Sequence, residues 1–126
     1  MTIQVLNELF SICKLKDYAQ ADLTQPFVFS GSTDEECSLV CPTRLVPAGA
    51  LARSDGWRAF RIAGILDFSL TGILARIATI LAEGGIGIFA VSTFNTDYIL
   101  TRAGDFEKAL DLLSEQGYEI QNMPDR

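Results

Sequence analysis

Any chemistry in this sequence has to be done without histidine, because none of its 126 residues is one. That absence removes Ser-His-Asp and Cys-His mechanisms, and with them the usual near-neutral proton shuttle. Carboxylates, lysines and thiols remain. Asp67, Asp97, Lys14 and Cys41 are the residues an enzyme would have to use, yet nothing in their spacing makes an acid, base and nucleophile set. No catalytic residue is assigned. The three cysteines, Cys13, Cys37 and Cys41, fall one ligand short of a zinc site that no histidine can complete, so they read as structural or inert thiols. No metal and no cofactor is expected. The phosphate-cradling patterns G-x-x-x-x-G-K-[ST] and G-x-G-x-x-G are also missing. Gly84-Gly85-Ile86-Gly87 is glycine-rich, but it follows a helix pattern and precedes a strand pattern, the reverse of what a phosphate cradle needs.

The remaining chemistry is that of backbone groups at the start of a helix. Leu70, Ile73, Leu74, Ile77, Ala78 and Leu81 recur at helical spacing, while Arg76, Thr79 and Glu83 fall largely on the other side. Ser69 precedes this run as an N-cap candidate, and Gly84-Gly85 stops it. The elements around this helix must position it. Residues Trp57 to Gly64 read as a strand, and Ile65 to Phe68 as a short loop into the helix. A second strand runs from about Ile86 to Phe94; it is apolar on both faces at its beginning, which predicts a central strand. Asn95-Thr96 turns the chain into Asp97 to Thr101, giving a hairpin. Asp105 caps a second helix that buries Phe106, Ala109, Leu110 and Leu113 and ends at Gly117, before a final strand at Tyr118 to Gln121. The order is βαββαβ, a ferredoxin-like α+β unit with both helices on one face of a four-stranded antiparallel sheet.

Residues 1–56 are less regular. Gln4 to Leu15 reads as one long strand, Asp17 to Gln25 as a loop or a single helical turn, and Phe27 to Ser30 and Cys37 to Cys41 as two strands. Gly49 to Gly56 reads as a connector. No strong helix pattern precedes Ser69, so residues 1–56 are expected to form a reduced, mainly β unit before a complete one at 57–126.

The formal net charge of −6 opposes binding to nucleic acid phosphates or anionic membrane surfaces. The start Met1-Thr2-Ile3-Gln4 lacks the basic and apolar regions of a secretory signal, and the longest nearly apolar stretch, Ile86 to Val91, is too short to span a bilayer. With an odd number of cysteines, these features predict a cytoplasmic protein with free thiols.

Two runs carry a family resemblance: Asp67-Phe68-Ser69-Leu70-Thr71-Gly72-Ile73-Leu74, and Gly87 to Leu100 (GIFAVSTFNTDYIL). Together with Leu39-Val40-Cys41-Pro42 and Val46-Pro47 before Gly56-Trp57, they resemble small bacterial proteins with tandem ACT domains. Those proteins are similar to the regulatory domain of aspartate kinases and to the cytosolic arginine sensor of animal growth signalling. The resemblance extends from about Phe10 to Ile120, with the first ACT unit truncated. It implies an effector held where the first strand meets the first helix, at an interface between two units, and side-by-side packing into a homodimer. In this chain that junction is Asp67 to Gly72.

The physics of the segment suits a small zwitterion. A helix N-terminus offers N–H groups and partial positive charge to an α-carboxylate. Ser69 and Thr71 can add hydroxyl contacts, Leu70 opens the helix, and Gly72 lets a ligand approach the backbone. Asp67 and Asp97 can accept from an ammonium. Ile88, Phe89, Ala90 and Val91 can present backbone groups from a partner sheet edge. Each has a plainer role too: Ser69 as a helix cap, Gly72 as packing relief, Asp67 as a partner of the dipole, Asp97 as a turn residue, Phe89 and Phe94 as core or interface aromatics. The sequence therefore favours an amino acid sensor acting through assembly or a protein partner. A structural module that pairs through a sheet edge without ligand is the alternative, and an enzyme comes last.

Overall fold

The computed structural model describes residues 1–65 and 72–123. Its strands are β1 (Thr2–Val5), β2 (Phe10–Leu15), β3 (Phe29–Ser32), β4 (Cys37–Pro42), β5 (Ala52–Ile62), β6 (Phe89–Ser92), β7 (Asp97–Arg102) and β8 (Glu119–Asn122). The helices are α1 (Ile73–Glu83) and α2 (Phe106–Glu115). The contacts divide the chain into two compact units, Met1–Asn7 with Arg58–Arg126, and Glu8–Trp57. β5 spans the boundary.

The first of these is the ferredoxin-like unit, with strand order β6-β7-β5-β1-β8. Alternation places Ile3 and Val5 of β1, Phe60 and Ile62 of β5 and Ile99 of β7 on one face. Ile77 and Leu81 of α1 cover that face together with Phe106, Ala109, Leu110 and Leu113 of α2. Burial of each large side chain in this cluster stabilises the fold by roughly 1.5–3 kcal/mol. The two helices meet where Gly84 follows α1, because a Cβ at Gly84 would collide with Leu112 Cδ1 of α2. Gly84 thus serves close packing as well as helix termination.

Several expected boundaries move. The predicted strand Gln4 to Leu15 is two strands. β1 pairs antiparallel with β5 (Ile3 opposite Ile62) and parallel with β8 (Ile3 opposite Ile120), which adds a fifth strand to the expected four. The chain then turns away at Asn7, whose side-chain amide donates to the Met123 carbonyl at 3.1 Å. The expected connector at Gly49 to Gly56 is mostly strand. Gly56 has φ +83, and the β2–β5 register shifts between Phe10 and Ile12, so the glycine marks an irregularity inside the strand. β6 is shorter than predicted and pairs only with β7 among the described residues, so it is an edge strand and not a central one. The expectation rested on the apolar beginning of the stretch from Ile86, but within β6 Ala90 and Ser92 are exposed.

Helix starts also differ. α1 begins after Gly72, which holds φ +78 and ψ 0, so helical geometry starts at Ile73 and the expected cap at Ser69 lies outside the described residues. Asp105 stands at the N-cap position of α2, but its carboxylate makes no capping hydrogen bond; a 3-10 turn over Ala103–Asp105 leads into the helix. The predicted hairpin is present. The Thr93 N–H and hydroxyl both donate to the Thr96 carbonyl at 2.9 Å.

The second unit, Glu8–Trp57, is mainly β. β2 pairs antiparallel with β4, β3 with β4, and the first part of β5 with β2. Its small core is Cys13, Leu15, Leu39 and Cys41, onto which Tyr18, Ala21, Leu45, Val46 and Ala50 pack. The Tyr18 hydroxyl donates to the Ser38 carbonyl at 2.8 Å, tying the β2–β3 connector to β4.

Candidate functional site

In a βαββαβ chain the β5–α1 and α2–β8 connections lie at the same end of the sheet. At that end a cleft of about 340 Å³ is lined by Met1, Gly72, Ile73, Arg76, Gln116, Gly117 and Tyr118. Each element contributes for a local reason. Gly72 adopts the left-handed conformation that an L side chain resists, and its carbonyl accepts the Arg76 N–H at 2.9 Å as the first hydrogen bond of the helix. The N–H groups of Ile73, Leu74 and Ala75 therefore precede the helical ladder, and no side-chain cap takes them among the described residues. Gly117, at φ +94, ends α2 and turns the chain into β8. Met1 arrives because β1 runs beside β8, with the Glu119 N–H donating to the Met1 carbonyl at 3.1 Å.

Two described features of this end favour an anion. The first turn of α1 contains no acidic residue. It carries Arg76 instead, a cation at the positive end of a helix, which costs the helix a little and suits an anion in the cleft. A carboxylate there can meet both backbone N–H groups and the guanidinium.

Of the residues predicted for the site, Asp67, Ser69, Leu70 and Thr71 lie outside the described residues. Gly72 lines the cleft, and Ile88, Phe89, Ala90, Val91 and Asp97 do not. Ile88 packs against the core beside α1 and α2. Phe89, Ala90 and Val91 form the edge strand β6, opposite Leu100, Ile99 and Tyr98. Asp97 faces Ser92 across the hairpin and accepts its hydroxyl at 2.6 Å, the local turn role anticipated for it. The sequence did not point to the other lining residues, Arg76, Gln116, Tyr118, Ile73, Gly117 and Met1, as parts of a site. The first three could have been found by noting that a βαββαβ order brings the start of one helix beside the end of the other. Met1 could not, because its place depends on the partner of β1.

Cys13 and Cys41 do not line this cleft. Cys41 is fully buried, and burial pushes its thiol up to about 11; burial likewise raises Cys13. A nucleophilic cysteine needs the opposite shift. Among the described residues no group of three or more His, Cys, Asp or Glu is placed to hold a metal ion, and no helix is long and apolar enough to cross a membrane.

Comparison with known proteins agrees with this architecture. A family model described as ACT domain matches residues 52–115. A protein of known structure from Agobacterium tumefaciens is 34% identical, with a TM-score of 0.86 over 99% of this chain and 95% of its own. A Vibrio cholerae protein of unknown function is 18% identical, with a TM-score of 0.70 over 90% of this chain and 88% of its own. The ligand-free regulatory subunit of aspartate kinase from Thermus thermophilus is 11% identical, with a TM-score of 0.63 over 91% of this chain and 96% of its own. The last two are likenesses of fold. No curated protein matches the sequence. With the family model covering more than half of the chain and a third of its residues shared with a full-length relative, this chain belongs to the ACT-domain family, with a fold similar to that of aspartate kinase regulatory domains.

Proposed function

We propose that the protein is a regulatory sensor that holds a free amino acid or related small metabolite at the start of α1. The cleft of about 340 Å³ where Gly72 and Arg76 face the α2–β8 turn supports this reading most directly. Its volume lies at the lower end of the range for small-molecule sites. The ligand's α-carboxylate meets the first-turn N–H groups and Arg76. Ser69, Leu70 and Thr71 lie beside it in sequence and add hydroxyl and backbone contacts, while Asp67 takes the ammonium.

The protein acts in this reading as a cytoplasmic homodimer and not as an enzyme. Phe89, Ala90 and Val91 are contributed by the β6 edge of a second copy, with backbone groups of Ile88 just before it, and Asp97 offers its second carboxylate oxygen. Residues 1–56 act as a reduced ACT-like unit beside the ACT domain of 57–126. Ligand that contacts only the assembled state shifts the population towards it, and a partner protein or the assembly itself carries the output. One observation favours a second reading: β6 has an open edge among the described residues, which suits sheet-edge pairing without ligand.

A thermal-shift screen of the twenty standard amino acids separates the two. A ligand present at about 100 times its dissociation constant stabilises the fold by roughly 2.7 kcal/mol. Asp97→Ala is expected to abolish that gain while lowering the unliganded stability by no more than about 1 kcal/mol, the worth of one exposed hydrogen bond. A flat screen into the millimolar range would overturn the sensor reading and leave the edge-pairing one.

A further inference from the structure

Three thiols cannot complete a zinc site, but two suffice for a soft monovalent ion. The core of the second unit brings two of its cysteines together. β2 and β4 pair antiparallel with Cys13 opposite Leu39 and Ser11 opposite Cys41. Cys13 and Cys41 are therefore diagonal neighbours on one face of the sheet, and both are buried in the cluster with Leu15 and Leu39. Their thiols hydrogen-bond to each other. Cys37, opposite Leu15, is only half-buried and lies farther along β4. We propose that Cys13 and Cys41 form a two-coordinate site for a soft monovalent cation of the Cu(I) class.

Strand geometry favours an ion over a disulfide. Diagonal partners in an antiparallel pair have Cα atoms about 7–8 Å apart. A disulfide does not span more than about 7 Å without moving the backbone. An ion between the sulfurs reaches farther, because two metal–sulfur bonds of about 2.3 Å replace one S–S bond of about 2 Å. The donor count then selects the ion. Among the described residues no third His, Cys, Asp or Glu joins the two thiols, and Leu15 and Leu39 pack around them as apolar surface without a donor. Zinc takes four ligands in a closed site of this kind, whereas a soft monovalent ion is satisfied by two thiolates in line. Loading breaks both S–H bonds, forms two metal–sulfur bonds and releases two protons to solvent, with no change of oxidation state. The loaded centre carries one negative charge. Burial keeps both thiols protonated, and the positive charge of Arg53, opposite Cys13 on β5, works against it. Asp55, paired with Arg53 at 3.1 Å, offsets part of that help at Cys13. The site shares no residue with the cleft at α1 and stands whether or not that cleft holds a metabolite.

The test is an anaerobic titration of the reduced full chain with Cu(I) against a chromogenic Cu(I) chelator. It is followed to equilibrium, because buried thiols load through local opening of the unit. The chain is expected to withdraw one equivalent from the chelator. X-ray absorption at the copper edge should then find two sulfur neighbours per ion, a reading that needs no variant and so survives any failure of a variant to fold. Cys13→Ala and Cys41→Ala, with the fold checked by circular dichroism, should each abolish uptake of that equivalent. Cys37→Ala should retain it. The proposal is overturned if the chain withdraws no Cu(I), or if the bound ion has three sulfur neighbours. Uptake that survives Cys13→Ala or Cys41→Ala, or that is lost in a folded Cys37→Ala, would overturn it as well.

Discussion

Arg76→Gln is expected to move unliganded stability and ligand response in opposite directions, a signature that a merely structural residue would not produce. Arg76 closes the first turn of α1, where its N–H donates to the Gly72 carbonyl and its charge adds to the positive end of the helix. Glutamine has nearly the same helix propensity as arginine, so the substitution isolates the charge. Removing an unfavourable charge at this position gains about 0.3–0.5 kcal/mol, the low end of the dipole effect, because Arg76 sits where the field is already falling off. Loss of one charge-assisted hydrogen bond to a carboxylate costs binding about 1.5 kcal/mol, slightly more than tenfold. A ligand held at about 100 times the parent dissociation constant then stands at about 10 times that of the variant, and its stabilisation falls from roughly 2.7 to roughly 1.4 kcal/mol. Urea unfolding with and without the amino acid found in the thermal screen reads both numbers. Repeating the unliganded pair at high salt should shrink the gain, since about 1 M salt shortens the screening length to about 3 Å. A loss of unliganded stability would show Arg76 to be a packing residue. An unchanged ligand gain would remove it from the site.

Two further outcomes bear on particular elements. Among the described residues, Gly72→Ala meets no atom within 4 Å, so the expected cost is that of forcing φ +78 on an L residue; unfolding curves should show a loss of about 1–2 kcal/mol, and no loss would mean the start of α1 tolerates another conformation. In the second unit, Ser11 is fully buried and its hydroxyl lies 2.5 Å from Asp55 Oδ1 and 2.8 Å from Thr43 Oγ1. The Ser11 hydroxyl first, then Arg53, holds the Asp55 carboxyl below its ordinary value. A depressed folded value means the contribution is present above the ordinary carboxylate pKa and is lost as pH falls through the folded one. Ser11→Ala should therefore melt below the parent at neutral pH, with the gap narrowing in acid; a gap that stays constant with pH would break the link between the two residues.

Much of the ACT unit was legible before any coordinates. The period of 3.6 in Ile73 to Leu81 and in Phe106 to Leu113 marked the faces that the structure buries, since apolar spacing on a helix records which side meets the core. Gly84, Gly85 and Gly117 marked the helix ends for the same local reason. Periodicity failed where small residues blurred the two faces of a strand. The strand from about Ile86 to Phe94 read as apolar on both faces at its beginning and therefore central, whereas among the described residues β6 is an edge strand on which Ala90 is exposed. It failed again at Gly56, where a left-handed glycine inside β5 looked like the end of a connector. Of the candidate site, Gly72 was found by its place in the helix entry. Arg76 was seen only as a residue on the far side of an amphipathic helix, because its value to a ligand depends on the α2–β8 turn opposite.

Residue types alone settled what this chain has to work with: no histidine for proton transfer, a net charge of −6, two amphipathic helices and the βαββαβ order that joins them. Which strand lies beside which was left to the tertiary structure. β1 enters the sheet between β5 and β8, pairing Ile3 with Ile62 on one side and with Ile120 on the other, and so carries Met1 to the cleft at α1. Side-chain patterns cannot announce such a choice, because sheet neighbours are joined through backbone N–H and C=O groups that nearly every residue carries alike.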